Sequence, residues 1–317
     1  MTGMTRRGLA ALATGLAAPA LAQAPAWPSR PVRLISPFAP GGPQDVPARF
    51  MVDHLTPRLG QPVVYESRAG AGGATGMQFV AQANDGHTFL VTSNAIATLP
   101  AMRRDPGFDP FTDLPAVTLI AESPLVLAVR ASGPASLQDY LARARSNPGR
   151  VSWGTSGIGS ATHLAGALLI QKAGIELLHV PYRGATVALN ALLAGDTDSV
   201  IADISIVLEH VRAGTLRALG VSTDGPSPLL PGVPVISSVV AGYSVPFWIA
   251  LFASRHNPPE ANARLMREIA PLREGELAGR MAARGAQLLL NGPGPLADRM
   301  RSDVAQWRQV VAAAGIQ

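Results

Sequence analysis

The chain has no cysteine among its 317 residues, which excludes disulfide scaffolds, zinc–thiolate sites, iron–sulfur clusters and cysteine nucleophiles together. Lysine is nearly absent too: of 26 basic residues only Lys172 is one. It follows Gln171, so no Gly-Lys-Ser/Thr phosphate loop exists, and Schiff-base chemistry would have to use that single position. Charged residues are 15% of the chain and hydrophobic ones 47%, a balance that excludes disorder. Aromatic residues are 5%, so a net charge of +5 comes without a basic stripe or stacking platform, and nucleic acid is excluded as a partner. No apolar run reaches the roughly 20 residues of a membrane span.

What is present begins with a leader. Arg6 and Arg7 precede an apolar run from Leu9 to Leu21 that closes on Ala20-Leu21-Ala22, a small-x-small cleavage pattern. Residues 1–22 therefore read as an export signal, cleaved after Ala22. Thr5-Arg6-Arg7-Gly8-Leu9 fits a twin-arginine signal and equally an ordinary secretory one. Without a cysteine after the cleavage site, no lipid anchor can follow.

The remaining length suits two domains. Short apolar strands at Val32–Ser36, Val63–Glu66 and Thr88–Thr92 alternate with helical spacings, including Val46, Phe50 and Leu55 after Asp45. A second set opens at Leu125–Val129, continues through a strand ending at Trp153, a helix from Ala161 to Ala173, a strand into Val180-Pro181-Tyr182, and Ser199-Val200-Ile201. Phe247–Phe252 is a further buried strand, and Leu296, Met300, Val304, Trp307 and Val311 form one helical stripe. Alternation predicts parallel sheets. The economical architecture is α/β with two lobes, each a doubly wound sheet, joined by two hinge strands near 118–126 and 244–252. Lobe 1 is then 23–122 with 247–317, and lobe 2 is 123–246.

In such sheets ligands bind at the carboxyl ends of strands, which points to three loops. Phe38-Ala39-Pro40-Gly41-Gly42-Pro43-Gln44-Asp45 puts two glycines and a helix start after a strand, where backbone N–H groups approach an anion closely. Ser93 and Asn94 follow the third strand. Gly154 to Ser160, with Ser156, Gly157, Gly159 and a helix-capping Ser160 before Thr162, offers hydroxyls and the free amides of a first helical turn. Facing each other, these loops make a neutral, dipole-lined carboxylate trap. Asp45 and Asp203 can orient a ligand amine or hydroxyl, Asp45 being equally a plain helix cap.

Catalytic and metal signatures fail. Gly154-Thr155-Ser156-Gly157-Ile158 has Ile where a nucleophile elbow needs Gly, and neither Gly157-Ile158-Gly159 nor Gly70-Ala71-Gly72 extends to a dinucleotide fingerprint. The six histidines never recur at helical spacing, so no metal pair and no cofactor is implied.

The strings Trp27-Pro28-Ser29-Arg30-Pro31-Val32, Pro37-Phe38-Ala39-Pro40-Gly41-Gly42, Gly70-Ala71-Gly72-Gly73, His179-Val180-Pro181-Tyr182-Arg183-Gly184, Ala213-Gly214-Thr215-Leu216-Arg217-Ala218 and Leu230-Pro231-Gly232-Val233-Pro234 occur in one order along the chain. Together they resemble the tripartite tricarboxylate transporter receptors, the Bug proteins. The resemblance implies a periplasmic, two-lobed solute-binding protein of the type II, Venus-flytrap kind. It implies closure on a small carboxylate, held by backbone amides, hydroxyls and waters of the two loops, with Tyr182 beside them. Family ligands include tricarboxylates, dicarboxylates, acidic amino acids and aromatic acids. Its partners would be integral-membrane permease subunits, or a sensor kinase, and it would act as a monomer without cofactor or catalytic residue. The chain departs from the family pattern at Pro43, Gln44, Val235 and Ser237. Two other readings stay open: an exported serine hydrolase using Ser156 or Ser160 with His163, and an orphan binding module.

Overall fold

The computed structural model describes residues 27–102 and 106–314, and the leader assigned to residues 1–22 lies outside them. Strands β1 (Val32–Ser36), β2 (Val63–Ser67) and β3 (Thr88–Ser93) alternate with α1 (Asp45–Leu59), α2 (Ala74–Ala81) and α3 (Ala95–Met102). They pair in parallel, Leu34 of β1 lying between Tyr65 and Phe89. The inner face of α1 is Ala48, Met51, Leu55 and Leu59, which are buried, whereas Val46 and Phe50 of the expected stripe are half-buried at its margin.

The chain then enters β4 (Ala116–Arg130), a strand of 15 residues. Beyond it come α4 (Leu137–Ser146), β5 (Ser152–Thr155), α5 (Ala161–Ala173), β6 (Leu178–Pro181), α6 (Ala185–Ala194), β7 (Ser199–Asp203), α7 (Ile204–Arg212) and β8 (Leu216–Val221). The return strand is β9 (Pro246–Ala253), followed by α8 (Pro259–Ile269), α9 (Glu276–Ala282), β10 (Gln287–Leu288) and α10 (Pro293–Ala314).

The strand order β2-β1-β3-β9-β4-β7-β5-β6, with β8 and β10 also on β4, makes the sheet mixed rather than parallel as expected. Within each strand set the βαβ units are parallel, but β9 runs antiparallel to β3 and β4, and β4 antiparallel to β7 and β8. The reason is connectivity: β4 carries the chain out to the second set and β9 carries it back, so the two crossing strands must oppose each other. Leu125–Val129, expected as a separate strand, is the far half of β4.

The partner switch marks the hinge. Up to Pro124, which faces Pro246, β4 pairs with β9, and from Leu125 it pairs with β7 and β8. Two prolines opposite each other withdraw two ladder donors at the point where the sheet changes partner. Ser222 ties the crossings, accepting from the Leu125 amide at 2.9 Å on its hydroxyl and from the Val245 amide at 2.8 Å on its carbonyl. The stripe Leu296, Met300, Val304, Trp307 and Val311 of α10 is buried, and α10 packs on α3, β4 and α5, bridging both sets.

Candidate functional site

The loops after β1 and β5 meet over the hinge. The Thr186 hydroxyl donates to the Gly41 carbonyl at 2.9 Å, and the Thr98 hydroxyl donates to the Gly159 carbonyl. Gly72, at φ +69°, presses its backbone against Ile158, where a Cβ would stand 1.8 Å from the carbonyl oxygen. The cleft is thus closed by two hydroxyl-to-carbonyl bonds and, at Gly72, by backbone against backbone, a packing only glycine permits there.

Between the loops lies an inner cavity of about 30 Å³, walled by Phe38 and Phe247 and lined by Ala39, Gly42, Pro43, Gln44, Ser93, Ser156, Ser160, Ala161, Thr162, Ala185 and Asp203. Helices α1, α3, α5, α6 and α7 all begin at this wall, so five positive dipole ends converge on it. The amides of Gln44, Ala161, Thr162 and Ala185 have no acceptor among the described residues. Among the described residues no arginine or lysine lines the cavity. It is a cage of amide and hydroxyl donors with one acid, Asp203, in its wall, sized for a carboxylate head or a pair of waters rather than a whole metabolite.

Two wider cavities adjoin it. One, of about 250 Å³, shares Gly42, Pro43 and Asp203 with the inner cavity and adds Gly41, Asp45, Ser123, Thr186, Arg284 and an apolar wall. The other, of about 220 Å³, shares Phe38 and Ser156 and adds Gly157, Tyr182 and Arg183. Of the expected site residues, Phe38, Gly42, Gln44, Ser93, Ser156, Ser160, Thr162 and Asp203 therefore meet at the inner cavity, while Gly41, Asp45, Gly157 and Tyr182 face its neighbours. Pro40, Asn94 and Gly159 line none of the three. Asn94 is wholly buried beside the hinge with its Nδ2 3.5 Å from the Pro246 carbonyl, and Gly159 is held by His163. Sequence reasoning missed Ala185, Phe247, Ser123 and Arg284. Ala185 carried a signal, as the first residue after Gly184 in a helix-start string.

Each loop has its own lock. In the first, the Asp45 carboxylate accepts the Gly41 amide at 2.6 Å and the Tyr65 hydroxyl at 2.6 Å. Asp45 does not cap α1; Gln44 occupies that position without a side-chain bond, its Nε2 donating instead to the Ser36 hydroxyl at 3.1 Å. The Gly41 amide is therefore already spent. Burial, and then the bond to Asp45, push the Tyr65 phenol far above its ordinary range.

In the second loop the Thr162 hydroxyl is a hub, 3.0 Å from the Ser156 amide, the Ser156 hydroxyl and the Ser160 hydroxyl. Ser160 caps α5 as expected, accepting from the His163 amide. The His163 and His179 rings stack 4.1 Å apart, with Trp153 4.5 Å from His179. His163 Nδ1 accepts the Gly159 amide at 3.3 Å, and His179 Nε2 lies 2.7 Å from the Thr155 hydroxyl. Burial lowers His163 to about 4, and burial together with His163 lowers His179 to about 3, so both rings are neutral. Ser160 meets His163 only at its backbone amide, and among the described residues neither Ser156 nor Ser160 bonds to the His163 ring, so the Ser–His pair required by the hydrolase reading is not formed.

Asp203 joins the hinge to the cavity. Its carboxylate accepts from the Ser123 hydroxyl of β4, from the Ser205 amide at 2.9 Å and from the Ser205 hydroxyl. Burial raises its acid, against the pull of Ser123, Ser205 and the charge of Arg284. With its oxygens so occupied, Asp203 caps α7. Among the described residues no group of three His, Asp or Glu side chains is placed to hold a metal.

Residues 47–271 match the family described as the tripartite tricarboxylate transporter family receptor. BugT of Bordetella pertussis is 32% identical over 316 residues, covering 97% of this chain and 96% of BugT. Among solved structures, the periplasmic binding protein BugD superposes with a TM-score of 0.87 at 29% identity, covering 92% of this chain and 99% of BugD. A Rhodopseudomonas palustris protein solved with adipate gives 0.86 at 31% identity with the same coverage. MatC from Rhodopseudomonas palustris with bound malate gives 0.84 at 28%, covering 90% and 99%.

Proposed function

The chain belongs to the tripartite tricarboxylate transporter receptor family, a family of solute-binding proteins, and from that premise we propose that it is a periplasmic receptor for a small dicarboxylate, closing its lobes on the ligand and handing it to membrane permease subunits. The observation that carries this reading is the inner cavity: amides of three helix starts that, among the described residues, have no acceptor and converge where no cation competes. Adipate and malate, the ligands of two structural relatives, are both dicarboxylates. On this reading residues 123–246 move as one lobe against 23–122 with 247–317. The mature chain acts as a monomer after removal of residues 1–22.

Energetics suit the task. Shifting a closed state from rare to dominant takes about 5.5 kcal/mol of differential binding. Two to four charge-assisted hydrogen bonds at roughly 1.5–3 kcal/mol each supply it. Ligand touching both Gln44 and the start of α5 contributes only when the lobes are together, which is the condition for driving closure.

A thermal-shift panel on ligand-stripped mature protein tests the proposal, with C4–C6 dicarboxylates, tricarboxylates, acidic amino acids and aromatic acids. Ligand at about 100 times its dissociation constant adds roughly 2.7 kcal/mol, several degrees in melting temperature. A saturable shift with a dicarboxylate is expected. No shift with any carboxylate overturns the reading.

A further inference from the structure

The inner cavity is too small to hold a dicarboxylate, so most of the ligand must lie in a neighbouring cavity, and the two candidates differ. The cavity of about 250 Å³ shares Gly42, Pro43 and Asp203 with the donor cage, and its walls include Leu189, Ile249 and Met281. Among the described residues, Arg284 is the only cation lining it or the donor cage. This arginine makes no ion pair among the described residues, whereas Arg280, four residues earlier, pairs with Glu276.

Arg284 is exposed, but its backbone is fixed. Its amide donates to the Met281 carbonyl at 3.0 Å, and the Ala286 amide donates to the same carbonyl at 3.0 Å. Gly285 turns the chain at φ +84° directly against Ile204, the residue after Asp203, where a Cβ would meet the Ile204 side chain at 2.7 Å. Next, β10 pairs with β4 so that Gln287 faces Glu122, one residue from Ser123. Turn, strand and packing together hold Arg284 at the cavity, close enough for its charge to be felt by Asp203. Arg284 and Asp203 form no ion pair; the Asp203 oxygens accept from Ser123 and Ser205 instead.

We infer that Arg284 is a specificity-determining residue: it receives the second carboxylate of a linear dicarboxylate whose first carboxylate occupies the donor cage and whose methylenes cross the apolar wall between. The inference rests on the carboxylate-receptor reading and deepens it. It selects α,ω-dicarboxylates over monocarboxylates of equal length, since a methyl terminus leaves the guanidinium nothing to bind. It also assigns the distal end to the Arg284 cavity and not to the one beside Arg183.

The test is calorimetric titration of wild type, Arg284→Gln, Arg284→Lys and Arg183→Gln with adipate and with hexanoate. Wild type is expected to prefer adipate, Arg284→Gln to lose about tenfold in adipate affinity with hexanoate unchanged, and Arg284→Lys to recover most of it. Arg183→Gln should match wild type for both ligands. Equal affinities of wild type for adipate and hexanoate, an Arg284→Gln variant that keeps the full preference, or a loss that appears in Arg183→Gln instead each overturn the subsite while leaving a carboxylate receptor standing. Absence of binding to every carboxylate by wild type overturns the receptor reading itself, and the subsite falls with it.

Discussion

The two loops that face each other across the cleft are built from similar residues, yet they are locked by opposite chemistry. The first is fastened by a charge: the Asp45 carboxylate holds the Gly41 amide and the Tyr65 hydroxyl. The second is fastened by neutral groups, with Thr162 as hub and the stacked His163 and His179 behind it. An anion near the first loop meets favourable amides with the Asp45 carboxylate behind them, whereas near the second it meets the amides of α5, the acid of Asp203 on the same wall being raised by burial and already bonded to Ser123 and Ser205. Coulomb interactions turn that difference into a preference, so the bound carboxylate should sit closer to the start of α5 than to Gly42.

The sharpest way to break this comparison is to place one negative charge on each side of the inner cavity. Asp caps helices as well as Ser does, so Ser160→Asp should keep α5 folded while putting a carboxylate against the ligand head. The expected loss of affinity is about a hundredfold, with an unchanged far-ultraviolet spectrum. Gln44→Glu is the counterpart on the first loop. There the new acid stands beside Asp45 in a buried site, where like charge and burial both favour its neutral form, and the loss should be about tenfold. Titration calorimetry measures both. Equal losses would mean that the ligand head sits midway, and a larger loss in Gln44→Glu would reverse the assignment.

Much of this site was legible in the sequence where local signals agree. Ser160 as cap, the span Ala161–Ala173 and the left-handed Gly174 at φ 60° were fixed by capping chemistry and turn residues within one stretch of chain. The buried run of β9 was equally plain. The unity of β4 was not, because Glu122, Ser123 and Pro124 interrupt its apolar pattern. Those residues sit where the strand changes partner: Ser123 bonds Asp203, Glu122 pairs with Arg299 of α10, and Pro124 withdraws a ladder donor at the hinge. Arg284 belongs to no motif; its place at the cleft depends on a two-residue strand pairing with β4. The His163–His179 contact joins α5 to β6, and only the parallel register that sets His179 opposite Trp153 brings those rings together.

A neutral lock and a charged one should also differ in their response to acid. His163 and His179 carry folded-state values of about 4 and about 3 against an ordinary 6.5. Between pH 6.5 and 4 the unfolded chain binds protons that the folded chain refuses, so stability falls as the pH falls through this window. His179→Gln, which retains an acceptor near Thr155 and cannot titrate, should flatten part of that slope. Urea unfolding at a series of pH values measures it. The same slope in wild type and variant would show that the histidine stack is not what makes the second loop acid-sensitive.

The smallest expected effect isolates one arm of the charged lock. Tyr65→Phe removes a single hydroxyl from Asp45 and leaves the bond to the Gly41 amide in place, so the first loop keeps its shape. The cost is that of withdrawing one donor from a buried carboxylate, about 1–2 kcal/mol of stability. Ligand affinity should change less than about threefold, because the Tyr65 hydroxyl faces Asp45 and not the inner cavity. An affinity loss approaching that of Ser160→Asp would mean that the charged lock is coupled to the ligand as tightly as the neutral one. The two loops would then act as a single unit, and the asymmetry between them would lie in their chemistry without extending to their function.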